Sequence, residues 1–206
     1  TFQLNGDFSG GDFMAVARGV GVDAHTIVTF ESFLPSLDEG VRGDPGSING
    51  WAHLDLAWRL LGDPRHEWLS GQPGLYGHRE VGLDEVELSR LADLLRTLHR
   101  TRSHPIGQSL RGGTQTRGRL FSRGEPEIAR LLAAIKAAVR AHLAQLPAAD
   151  PRHPLLKYRG GEPAITGSWS VRLASQGFHV NHIHPEGVLS SACYISLPAG
   201  MNAPIR

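Results

Sequence analysis

Cysteine is nearly absent from this chain. Cys193 is the single one in 206 residues, which excludes an internal disulfide and fits a reducing compartment. Surplus charge is also missing. Lys and Arg number 21 against 20 Asp and Glu, a formal net charge of +1, so nothing electrostatic argues for a nucleic acid or an anionic membrane as partner. No apolar run approaches the roughly 18 residues that a membrane-spanning helix needs. The stretch from Thr1 to Gly11 is polar and glycine-rich, without the basic start and apolar core of a secretory leader. A cytoplasmic protein is the expectation.

Apolar residues are not lacking. At 40% they suffice for a packed core, and the length allows one large domain or two small ones. Histidine is plentiful, at 11. His25, His53, His66, His78, His99, His104, His142 and His153 are scattered and read as ordinary surface or core residues. His179, His182 and His184 are clustered, and their spacing has geometric meaning.

The first half reads as helix. Phe13 to Val20 is a short apolar stretch. Ile48, Trp51, Leu54, Trp58 and Leu61 fall at helical spacing, Ser47 is placed to cap the start, and Gly62-Asp63-Pro64 stops the helix. A second helix is expected over Asp84–Arg100, with Asp84 as cap and Val86, Leu88, Leu91, Leu94, Leu95 and Leu98 in one stripe. Glu125-Pro126 opens the clearest one, to Leu146, since proline suits the first helical position. Trp51, Trp58 and Trp68 are expected in the helical core. Residues 52–62 have the flavour of a tetratricopeptide-like hairpin, without a second copy at a fixed period.

Near Pro151 the period changes from 3.6 to 2. Ser168–Ala174, Phe178–His184 and Val188–Leu197 read as three consecutive antiparallel strands, the last two joined by a turn at Pro185-Glu186-Gly187. Between the two regions, Pro105–Arg123 is rich in Gly, Arg, Thr and Gln and reads as a loop. Its Arg111, Thr114 and Gln115 either close over a site or bind backbone. The fold class expected is therefore α+β: a helical region over 1–104, then a β domain over 105–206.

On a strand, residues i and i+2 share a face. His182 and His184 would project together with Cβ atoms about 6 to 7 Å apart, while His179 faces away. Two such imidazoles can reach one metal ion. They can equally be polar residues on a solvent-facing strand. Glu186, in the turn, is a candidate carboxylate ligand. Arg172 either faces a carboxylate ligand or forms a surface salt bridge. Ser190 and Tyr194 share parity and are candidates for lining a pocket, with a core position the other reading for Tyr194. Cys193 has the opposite parity and is expected to be buried.

Three ordered segments carry a family resemblance: Ser168-Trp169-Ser170-Val171-Arg172-Leu173, Gly177-Phe178-His179-Val180-Asn181-His182-Ile183-His184-Pro185, and Leu189-Ser190-Ser191-Ala192-Cys193-Tyr194-Ile195-Ser196-Leu197-Pro198. Together with residues 108–116 and 153–156 they resemble a bacterial family of 2-oxoglutarate/Fe(II)-dependent oxygenases, whose members often carry tetratricopeptide-like helices in front. The resemblance implies the first strands of a double-stranded β-helix (jelly roll) with Fe(II) at its mouth and 2-oxoglutarate as co-substrate. It implies a hydroxylase-type reaction on an unidentified small molecule or protein side chain. His184 departs from the family's usual carboxylate at that place. Only 22 residues follow His184, and none is histidine: if the chain ends at Arg206 the expected jelly roll is incomplete and lacks the distal ligand, and if a parent chain continues past residue 206 the expectation is a 2-oxoglutarate/Fe(II)-dependent dioxygenase. Two other readings stand beside the oxygenase. One is a non-catalytic helical module that binds a protein partner and carries a metal-binding or vestigial β-domain. The other is a cupin-like metal protein without 2-oxoglutarate.

Overall fold

A computed structural model describes residues 30–101, 103, 105 and 107–198. The apolar stretch at Phe13–Val20, together with His25 and His104, lies outside them. The elements run α1 (Phe30–Gly43), α2 (Ile48–Leu61), α3 (Glu85–Leu98), β1 (Leu110–Gln115), α4 (Pro126–Gln145) and β2 (Val171–His179), with short helical turns at Glu67–Gly71, Leu120–Ser122 and Leu156–Tyr158. The class is α+β. Among the described residues no helix is long and apolar enough to cross a membrane.

The chain divides into two compact units. The described part of the first comprises residues 30–78, 142–161 and 181–189. Helix α2 begins where Ser47 Oγ accepts from the Gly50 amide at 3.1 Å. It ends where Gly62, at φ 67°, lets the Asp63 amide turn back onto the Trp58 carbonyl at 2.8 Å. Leu37 and Val41 of α1 and Leu54, Ala57 and Trp58 of α2 are buried, with Leu69, Leu143, Leu146 and Leu156. Trp51 and Trp68 meet at 5.8 Å between ring centroids. His153, only 2% exposed, ties this core to the 150–158 segment. Its Nε2–H donates to the Leu69 carbonyl at 2.9 Å, and its Nδ1 accepts from the amides of Leu155 and Leu156, both at 3.1 Å. The bonds fix the tautomer. Trp68 packs edge-on to the same ring and donates to Asp150 at 2.9 Å, which holds that carboxyl below its usual range. Helix α1 was not expected. Pro35 sits inside it, and an internal proline reads in sequence as a break.

The described part of the second unit comprises residues 79–101, 103, 105, 107–141, 162–180 and 190–198. Asp84 and Glu87 form a reciprocal capping box at the start of α3. Glu87 also accepts from Arg130 of α4 at 2.9 Å. Leu91 and Leu95 pack with Leu120, Ile128 and Leu131, and Cys193 and Ile195 press against this cluster.

The β structure corrects the sequence reading twice. Among the described residues, one strand, Val171–His179, stands where three were expected, and no ladder forms over 180–198. Its antiparallel partner is β1, inside the segment read as a loop. Alternation is present in 193–195 without pairing: Cys193 and Ile195 face the core and Tyr194 is exposed. A period of two reports an extended chain on a core, and a ladder is only one way to make it. The register is Gln115↔Val171, Thr114↔Arg172 and Gly113↔Leu173, then Arg111↔Phe178 and Leu110↔His179. Residues 174–177 of β2 therefore bulge around Gly112, whose φ is +62°. Directly paired residues share a face. One face carries Val171, Leu173 and Phe178 and is open, with Leu173 and Phe178 about half exposed. The other carries Thr114 and Arg172.

Candidate metal centre

β2 ends at His179, where the Val180 amide makes its bond to the Ser109 carbonyl at 2.9 Å. His179 Nδ1 lies 3.0 Å from Ser109 Oγ. In the first unit, residues 181–184 run as an irregular segment into a turn closed by the Gly187 amide on the His184 carbonyl at 3.4 Å. The expected turn at Pro185-Glu186-Gly187 is thus present. Pro185 disfavours helical backbone at His184.

Within this segment the two imidazoles converge. The Nε2 atoms of His182 and His184 are 3.1 Å apart, with ring centroids at 4.7 Å and planes at 83°. No regular strand is responsible, so the convergence does not come from the ladder on which it was expected. Metal–imidazole bonds of about 2.0–2.2 Å place two nitrogens bound at right angles about 2.8–3.1 Å apart. The pair therefore fits two adjacent positions of an octahedral divalent ion. The same distance serves a hydrogen bond between neutral rings, one donating and one accepting.

Among the described residues, no third His, Cys, Asp or Glu gathers with the pair. Glu186 lies exposed in the turn. The other candidates belong to the second unit. Ser190 and Tyr194 are exposed, Tyr194 at 60%, so the core position for Tyr194 does not hold. Cys193 is half-buried, and burial pushes its thiol above the usual range. That makes it a poor thiolate. Arg111 takes the backbone option, donating to the carbonyls of Gln108 at 2.6 Å and Leu110 at 2.9 Å.

Sequence reading missed a polar group on the β1–β2 face. His99, just after α3, has Nδ1 at 2.8 Å from Thr114 Oγ1 and Nε2 at 3.1 Å from Ser170 Oγ. Thr116 Oγ1 accepts from the Ser170 amide at 2.9 Å. Burial, and then the charge of Arg172, hold His99 below the usual imidazole range. No spacing rule joins residues so far apart in sequence.

Residues 167–205 match the profile of a family described as "Putative 2OG-Fe(II) oxygenase". No curated protein and no solved structure matches the chain. The matched segment contains β2, both converging histidines and Glu186, and it is a short part of the chain similar to that oxygenase family.

Proposed function

We propose that this chain is an Fe(II)/2-oxoglutarate-dependent oxygenase of the hydroxylase type. The observation that carries the reading is the 3.1 Å approach of His182 and His184 inside the segment that matches the oxygenase family. His182 and His184 would hold two adjacent positions on the metal, and Glu186 is the proposed third ligand. Arg172, Ser190 and Tyr194 are proposed to bind the co-substrate, with the arginine recognising a carboxylate. When bound, the iron centre supplies oxidative decarboxylation of 2-oxoglutarate to succinate, coupled to hydroxylation of a small molecule or protein side chain. The protein's own part is to bring the two imidazoles together and orient them. The open apolar face of Val171, Leu173 and Phe178 supports a jelly-roll reading, because such a face ordinarily packs against a second sheet.

A second reading is a helical module that binds a protein partner and carries a non-catalytic metal site. It is favoured by the lack of a third ligand beside the pair among the described residues. Succinate release from 2-oxoglutarate under air with Fe(II) and ascorbate separates the two. The oxygenase predicts turnover that His182→Ala abolishes. Metal binding by the pair with no succinate above a metal-free control would favour the second reading.

A further inference from the structure

We propose that Arg172, His99, Thr114 and Ser170 form an oxyanion-binding patch on the polar face of the β1–β2 sheet, taking a carboxylate or a phosphate group. The inference extends the proposed role of Arg172, and it requires neither histidine of the metal pair. All four residues lie in the second unit, so the patch is complete within it.

The first observation is a cation without a carboxylate. Arg172 is exposed on β2 directly opposite Thr114, and among the described residues it has no ion pair. Arg96, Arg123, Arg130 and Arg140 of the same unit each hold an Asp or Glu, while Arg90, Arg100, Arg111, Arg117 and Arg119, like Arg172, hold none among the described residues. What sets Arg172 apart is its place opposite Thr114, on the face that His99 meets. The guanidinium thus keeps its fork of N–H donors for a planar or tetrahedral oxyanion.

The second observation is that the charge of Arg172 reaches His99. Arg172 shares a face of the sheet with Thr114 and Ser170, the two hydroxyls that His99 meets. Burial first, and then that charge, hold the ring below the usual imidazole range.

The third is donor arrangement. His99 spans two hydroxyls, Thr114 Oγ1 at 2.8 Å and Ser170 Oγ at 3.1 Å. A neutral imidazole donates through one nitrogen and accepts through the other. Whichever hydroxyl receives the ring N–H keeps its own proton to give away. The patch can thus offer the guanidinium together with one hydroxyl proton, and His99 sets which hydroxyl that is. His99 is a positioning residue in this arrangement, and Arg172 the primary contact.

The test is a titration of the EDTA-treated 206-residue chain, followed by NMR at constant ionic strength. One arm uses 2-oxoglutarate and the other inorganic phosphate. At least one probe should saturate shifts of the His99 ring and the Thr114 and Ser170 amides. Arg172→Gln should weaken that binding at least tenfold, and Arg172→Lys should restore part of it. The His182→Ala/His184→Ala double variant should bind the probe as the parent does, so failure of the metal site would leave this result intact. The arm that saturates at lower concentration identifies the class of oxyanion. Shifts that never saturate, that sodium chloride reproduces, or that persist unchanged in Arg172→Gln would overturn the proposal.

Discussion

Gly177 passes Gly112 backbone against backbone, so close that a Cβ on Gly177 would overlap the Gly112 carbonyl oxygen. The contact lies where residues 174–177 bulge out of β2. It explains why both strands carry glycine there. A Cβ on neighbouring Gly113 would sit 2.6 Å from the Arg172 carbonyl oxygen, again backbone that cannot swing aside.

Gly177→Ala should therefore break the register between Arg111↔Phe178 and Gly113↔Leu173. Overpacking of this kind costs about 1–3 kcal/mol. Amide exchange at Val180, bonded to Ser109, should speed up, while exchange within α2 stays as it was. Full protection at Val180 in the variant would show that the backbone can relax around the added methyl group. Gly82→Ala is the control: it has open space but a φ of +60°, so it should cost stability without changing the register.

The His153 ring predicts how stability depends on pH. Burial, the largest influence, holds it below the usual imidazole range in the fold. The unfolded chain then binds a proton that the folded chain does not, so this contribution is present above about pH 6.5 and is lost as pH falls toward the folded value. His153→Asn should keep an acceptor for the amides of Leu155 and Leu156 while losing the donor to Leu69 and the titration. Urea unfolding between pH 7.5 and 5 should show a shallower decline in that variant than in the parent. Equal slopes would remove His153 from the account.

The capping box gives a calibrated test. Asp84 accepts from the Glu87 amide at 2.8 Å and donates its own amide to Glu87 Oε2 at 3.0 Å. Asp84→Ala should cost about 1 kcal/mol. For a chain of this size that lowers the melting midpoint by about 2–4 °C. Asp84→Asn should recover most of the loss, since an amide oxygen still accepts.

What could be read from sequence was what local chemistry fixes. Helix α2 runs Ile48–Leu61 as expected, because Ser47 and Gly62 cap it with their own bonds. Helices α3 and α4 end within two residues of the expected bounds. Proximity of His182 and His184 was legible from their separation of two positions, whereas the strand from which it was inferred is not there: residues 181–184 are irregular. β1 was not, because Leu110-Arg111-Gly112-Gly113-Thr114-Gln115 has no apolar alternation, and its pairing depends on β2 some 60 residues later. The His99 group was invisible for the same reason: Ser170 is 71 positions from the ring that it meets. Conversely, Cys193, Tyr194 and Ile195 alternate in burial without strand partners, so the sequence pattern was real and the element inferred from it was not.

The last prediction concerns the paired imidazoles. With their Nε2 atoms 3.1 Å apart, little reorganisation is needed to accept an ion. Two nitrogens alone leave the other positions to water or to Glu186, so affinity should follow the intrinsic order for nitrogen donors, Fe(II) below Ni(II) below Cu(II). His182→Ala and His184→Ala should each weaken Ni(II) binding at least tenfold. His179→Ala should not, because that ring is engaged with Ser109 at 3.0 Å. Glu186→Gln should weaken Fe(II) more than Cu(II), as a hard carboxylate matters most to the metal that imidazole holds least well. Protons compete for both rings, so binding must weaken as pH falls. Calorimetric titration of the purified chain with each metal tests the whole set. Retained Ni(II) affinity in the double variant His182→Ala/His184→Ala would move the site elsewhere. An Fe(II) affinity above that for Ni(II) would point to a harder ligand set than these two histidines provide.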